Sequence, residues 1–241
     1  MHACINMNCT LLSVAGAGST FLWKNYELFS NRHLQHNHML TNADSSCALI
    51  SIRDPAERLE SGFLYEFMYP KHGRARLTQF ENASYFVDAL FDKTNVDHNK
   101  ARYLVRASVH KRAPGDDGSF FLYPQSHYFV NNGNTTMHVF CTKCLSEQWS
   151  VFARDATDNS THMRRKKAAK PKHAARSKLS DKQSTSIRQL FPQDMMLLRK
   201  YCSHCFEEGS HLWKLCSRYS RTPSWVQQDA VLAEKKKYAV Y

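Results

Sequence analysis

No stretch of this chain is apolar for more than a few residues. Cys47-Ala48-Leu49-Ile50 is typical, and a bilayer-spanning helix needs roughly 18. No transmembrane anchor is expected, and any membrane association is expected only through a segment absent from these residues. Met1 to Asn8 lack a basic stretch leading into an apolar one, so no signal peptide is expected either. No motif recurs at a period of roughly 20–50 residues, which argues against a solenoid or propeller. Negative charge is the minority, with 21 Asp and Glu against 33 Lys and Arg, giving a formal net charge of +12. The 241 residues, 42% of them apolar, are nevertheless enough to bury one sizeable core, so disorder throughout is excluded.

The positive charge is concentrated. Arg164, Arg165, Lys166, Lys167, Lys170, Lys172, Arg176 and Lys178 lie between Met163 and Leu179 with no acidic residue among them. With Ala, Ser and Pro171 interleaved and almost no large apolar side chain, the segment cannot bury enough surface to order itself. The reading is one domain over residues 1–241, with a basic disordered insertion at about 157–183. Such a run is either a solvated face or a dock for a polyanion. It holds no aromatic residue for base stacking, so nucleic acid is not the expected partner.

The eight cysteines include Cys141-Thr142-Lys143-Cys144 and Cys202-Ser203-His204-Cys205. That spacing suits a tetrahedral zinc site, but 57 residues separate the pairs, against roughly 15–20 in compact zinc ribbons. Zinc, disulfides and reduced thiols remain open from spacing alone. Sequons at Asn8, Asn82, Asn134 and Asn159 permit N-glycosylation if the chain is luminal.

Thr10 to Val14 is a short apolar run ending in Ala15-Gly16-Ala17-Gly18-Ser19-Thr20, followed by a helical pattern to about Arg32. This reads as strand, glycine turn, helix, an arrangement whose free N–H groups and hydroxyls seat phosphate. Cys47 to Ile52 reads as a parallel strand covered on both faces. Asp54 then caps a helix, Pro55 suits its first turn and Glu57 completes a capping-box-like pair. In that helix Leu59, Phe63 and Phe67, with Leu64 and Met68 beside them, form one apolar face. Arg53 at the strand end and Ser61 two turns into the helix can converge on one anion. Further helices are expected at Tyr85–Phe91, Ala101–His110, Leu145–Phe152 and Gln193–Phe206, the last burying Met195, Met196, Leu198 and Tyr201. Thr136–Phe140 is expected to be another strand. The alternation predicts an α/β fold with a mainly parallel central sheet.

The segment Ile52 to Phe63 resembles the 3′-phosphate motif R-[DN]-P-x-x-R-x-x-S-x-F of the PAPS-dependent carbohydrate sulfotransferases. Ala17 to Leu22 resembles the tail of their 5′-phosphosulfate loop, P-K-[AT]-G-[ST]-[ST]-x-L. His36-Asn37-His38-Met39 is similar to the histidine motifs of uronosyl 2-O- and galactose 3-O-sulfotransferases, and Glu60-Ser61 with Phe63 and Tyr65 to the galactose group's E-S-x-F-x-Y. Tyr123 to Tyr128 and Phe191 to Asp194 are similar to a P-Q-x-x-Y-x segment and to the acidic position before the last long helix. The likeness runs from about Leu11 to Tyr201.

The resemblance implies a P-loop-like three-layer sandwich that moves a sulfuryl group from PAPS, as co-substrate, to a hydroxyl of a galactose- or uronic-acid-type glycan in the Golgi. Gly18, Ser19 and Thr20 would hold the 5′-phosphosulfate, and Arg53 and Ser61 the 3′-phosphate. His38 would be the general base, with His36 as fallback, and no metal is expected. Gly16 stands where the family has its loop Lys, and Lys24, one turn into the helix, is the candidate substitute. A P-loop small-metabolite kinase is the rival enzyme, opposed by the missing Gly-Lys-Ser/Thr. A zinc-bearing nucleic-acid-binding module would explain the C-x-x-C pairs and the basic run but not Arg53 to Ser61.

Overall fold

The structure, a computed structural model, describes residues 9–26, 35–37, 47–69, 76–109, 118–129, 136–156 and 178–205. Strands β1 (Cys9–Leu12), β2 (Gln35–Asn37), β3 (Cys47–Ile52) and β4 (Thr136–Cys141) form one sheet in the order β2-β1-β3-β4. Every pairing is parallel, with Leu11 opposite His36 on one side and Leu49 on the other, and Ile52 opposite Cys141. All residues of β1 and β3 are buried, as continuous apolar strands of a doubly covered sheet should be.

The strand alternation sends successive side chains to opposite faces. Cys9, Leu11, Cys47, Leu49 and Phe140 pack with Leu22 of α1 (Ser19–Tyr26) and with Leu145, Trp149 and Ala153 of α5 (Leu145–Ala156). Leu12, Ala48, Ile50, Ile52 and Cys141 face Met195, Leu198 and Cys202 of α7 (Pro192–Cys202), together with Tyr123 and Tyr128. Helices therefore cover both faces of a parallel sheet, and the fold is α/β. A further cluster joins α2 (Pro55–Met68), α3 (Ala83–Phe91), α4 (His98–Val109) and α6 (Asp181–Leu190) around Leu59, Phe63, Phe86, Leu104 and Ile187. No helix among the described residues is long and apolar enough to cross a membrane.

Several expectations change. Helix α6 begins inside the range assigned to the basic insertion. Ser180 caps it in a full capping box with Gln183, Leu179 is buried, and the Leu179 N–H donates to Glu60 Oε1 at 2.7 Å. Residues 157–177 lie outside the described residues. The apolar face of α2 stops at Phe63, since Phe67 is 48% and Met68 41% exposed, and in α7 Met196 is 62% exposed. Helix α7 runs from Pro192 to Cys202, after which Ser203–Cys205 tightens into a 3₁₀ turn. Asn82 of one sequon is the N-cap of α3, accepting from the Tyr85 N–H at 2.9 Å, while the Ser84 hydroxyl accepts from Gln183. Both side chains of that sequon are thus occupied in the fold.

Candidate anion-binding site at the carboxyl edge of the sheet

Because the strands are parallel, their carboxyl ends share one edge. From β1 the chain passes through α1 to β2 on one side, whereas β3 leads on towards β4 on the other. Connections that leave adjacent strands in opposite directions open a crevice between them. Here it lies between the segment 13–18, after β1, and Arg53-Asp54, after β3.

The first wall is a tight loop. The Val14 N–H donates to the Leu12 carbonyl at 3.1 Å and the Ala17 N–H to the Val14 carbonyl at 3.2 Å, turning the chain back on itself. Gly16 and Gly18 take φ values of 72° and 88°, which L side chains adopt only under strain. A Cβ on Gly16 would also sit 3.1 Å from the Phe121 ring and 3.3 Å from Arg58 Cγ. Residue 16 is glycine for reasons of backbone and space, and a lysine there would need a different loop. Intrahelical bonding in α1 starts with the Phe21 and Leu22 N–H groups, both donating to the Gly18 carbonyl, so the N–H groups of Ser19 and Thr20 precede the first helical bond. The Ser13 hydroxyl donates to Ser19 Oγ at 3.3 Å across the loop.

The second wall is built around Arg53. Its Nη1 donates to the Gly16 carbonyl at 3.1 Å, and its Nε to Glu57 Oε2 at 3.3 Å. Glu57 thus turns its carboxylate to Arg53. The cap of α2 is made by Asp54, whose Oδ1 accepts from the Ala56 and Glu57 N–H groups while its Oδ2 accepts from Arg188 Nε at 2.8 Å. The Arg53 peptide groups are held from a distant segment: Gln125 Oε1 accepts from the Arg53 N–H at 2.8 Å, and Gln125 Nε2 donates to the Arg53 carbonyl at 2.7 Å. Behind Gln125, Asp194 accepts from the Gln125 N–H, from Gln125 Nε2 and from the Ser126 N–H.

Beneath the crevice lies Arg58, fully buried, with Asp194 Oδ2 3.7 Å from its Nη2 and the Phe191 ring 5.8 Å from its Cζ. None of its side-chain nitrogens has a hydrogen-bond partner among the described residues, and the same holds for the hydroxyl of buried Tyr128. Burial lowers the Arg58 pKa, opposed by the charges of Asp194, Tyr128 and Asp54, and burial raises that of the Tyr128 phenol. From the far side, Thr142 Oγ1 lies 3.0 Å from the Ala17 carbonyl oxygen and 2.9 Å from that of Ile52. One hydroxyl at the end of β4 therefore bridges both walls.

Of the residues expected at the site, Gly18, Ser19 and Arg53 come together here, and Thr20 follows in the first turn of α1. Ser61 is partly buried in α2, and no contact among the described residues joins it to Arg53. Lys24 is exposed in the last turn of α1. His36 lies on β2, opposite Leu11; its side chain, and the whole of His38, lie outside the described residues. Gln125, Asp194, Arg58 and Thr142 were not expected as site residues. The two similar segments that contain Gln125 and Asp194 were the available signal.

The C-x-x-C pairs also meet. Cys141 is joined to Cys202 and Cys144 to Cys205, and a third disulfide links Cys9 to Cys47 between the register-paired ends of β1 and β3. The sulfurs of Cys141, Cys144 and Cys205 all lie within 4.8 Å of one another. Bonded in this way they offer no thiolates, the form in which cysteine binds zinc. No family model, curated protein or solved structure matches this chain.

Proposed function

We propose that this chain is a P-loop-like sulfotransferase that moves the sulfuryl group of PAPS to a hydroxyl of a glycan of galactose or uronic acid type. The observation that carries the reading is the bond from Arg53 Nη1 to the Gly16 carbonyl. Through it, the end of the 3′-phosphate-type motif and the 5′-phosphosulfate-type loop close on one crevice at the point where the sheet's connections diverge. The loop would seat the 5′-phosphosulfate with backbone N–H groups and the Ser19 and Thr20 hydroxyls, while Arg53 and Ser61 would hold the 3′-phosphate. Arg53 also brings positive charge against residue 16, where the resembled loop has Lys. In the reaction, an acceptor oxygen bonds to sulfur as the bond from sulfur to the phosphate oxygen breaks, and His38 takes the hydroxyl proton.

Three disulfides among the described residues fit an oxidising compartment, which supports a Golgi lumenal site of action. The basic run from Arg164 to Lys178 would meet a polyanionic acceptor. Calorimetry with PAP and AMP tests the nucleotide site. PAP should bind more tightly, and Arg53→Ala should weaken it by about 2–4 kcal/mol, the scale for removing a charge-assisted contact. Equal affinity for PAP and AMP would remove the basis of the proposal. For the chemistry, His38→Ala should lower sulfate transfer by about 10²–10⁴ with PAP affinity unchanged.

A further inference from the structure

We infer that Gln125 is a positioning residue of the anion site, aiming Arg53 from behind, with Asp194 as its anchor. The inference rests on the proposed nucleotide site and extends it to residues that make no contact with the ligand.

Arg53 stands just past the end of β3, where ladder pairing no longer fixes its backbone. The Gln125 amide replaces that pairing, as an acceptor to the Arg53 N–H at 2.8 Å and a donor to its carbonyl at 2.7 Å. Two opposed bonds to one residue fix both its place and its rotation, and so the Cα–Cβ direction from which the side chain carries its guanidinium to the Gly16 carbonyl and Glu57. A side-chain amide can do this because it carries a donor and an acceptor side by side.

The amide is itself not free to turn. Asp194 Oδ2 accepts from Gln125 Nε2 at 3.3 Å and from the Gln125 N–H at 3.0 Å, and Oδ1 accepts from the Ser126 N–H at 2.8 Å. Asp194 is 1% exposed and Gln125 1% exposed, so water does not compete for these groups. The buried Arg58 guanidinium supplies the positive charge that lets the Asp194 carboxylate remain inside. Gln125 and Asp194 lie 72 and 141 residues from Arg53 in sequence, yet together they set the backbone from which its charge reaches the crevice.

A double-mutant cycle on PAP affinity, read by calorimetry on the full chain, tests this. Gln125→Ala should weaken PAP by about 10-fold or more, because a misaimed Arg53 loses most of its contact. In the Arg53→Ala background the same substitution should change PAP affinity less than about 2-fold, since nothing remains to aim. A residue that merely supports the fold would weaken binding equally in both backgrounds, and that result would overturn the inference. If Gln125→Ala does not fold, Asp194→Asn provides the same cycle, and additivity there overturns it equally. A wild-type chain that does not bind PAP at all would instead overturn the nucleotide site on which the inference rests.

Discussion

Raising the pH through neutrality should loosen the segment that roofs the glycine loop. Glu66, in the last turn of α2, is 6% exposed; its carboxyl accepts from the Leu77 N–H at 2.6 Å and from the Ser119 hydroxyl at 3.2 Å. Burial raises its pKa to about 7, against the opposing pull of those bonds, a bond from Thr78 and the Arg76 charge. An unperturbed Glu titrates near 4.5. Between these values the folded chain holds a proton that the unfolded chain has released, so stability falls as pH rises. The contribution is complete below about 4.5 and gone above about 7. A shift of that size corresponds to about 3 kcal/mol, or roughly 6–12 °C in Tm for a chain of this length.

The effect has a local address. The Ser119 hydroxyl also accepts from the Phe121 N–H, and Phe121 packs against Gly62 and over Gly16. Urea unfolding of the wild type and Glu66→Gln at several values between about pH 4.5 and 8.5 would measure it. Gln retains an acceptor for Leu77 and gains a donor for Ser119, but carries no charge. The stability of the variant relative to wild type should therefore rise by about 3 kcal/mol across the range. A difference that stays constant with pH would refute the reasoning.

Gly16→Ala should cost about 1–2 kcal/mol in chemical denaturation, from the left-handed backbone and the Phe121 contact, and under the proposed function Gly16→Lys should fail to raise sulfate transfer for the same reason. Removing the Cys144–Cys205 disulfide alone should cost far less than removing both C-x-x-C cross-links, because both close nearly the same loop, with a sequence separation of 61 in each case. Loss of both should cost about 4 kcal/mol in denaturation experiments. Arg188→Ala should cost about 3–5 kcal/mol in the same assay, since it leaves buried Asp54 without its ion-pair partner.

Strands β1 and β3 are legible in the sequence because both of their faces are covered and they read as compact apolar runs, and β4, half-buried at the sheet edge, is legible from Met137, Val139 and Phe140. Asp54-Pro55 is legible as a helix start because capping is a local interaction. Strand β2 is not, since Gln35-His36-Asn37 is polar and belongs to the sheet by main-chain pairing with β1. Helix α6 is obscured by its own composition: Asp181 to Ser186 are polar, and only Ile187 and Leu190 among its residues anchor it in the core. At the site, the glycines and Arg53 stand out as local patterns. The grip of Gln125 on Arg53 does not, because no local periodicity links residues that far apart. The exposure of Phe67 and Met68 shows the converse, a helical face that continues in sequence after its packing partners have ended.

The bonds that shape the crevice also set an order of assembly. Thr142 reaches Ala17 over 125 positions, Arg188 reaches Asp54 over 134, and Asp194 reaches Gln125 over 69. Closing such long loops must precede any reward from the contacts they allow, which makes distant pairings slow to form. During synthesis the glycine loop and Arg53 emerge before α7, which carries the Asp194 anchor of Gln125. A nascent chain can therefore complete its first strands and helices well before the crevice is assembled, and the proposed binding of PAP should trail secondary structure on refolding.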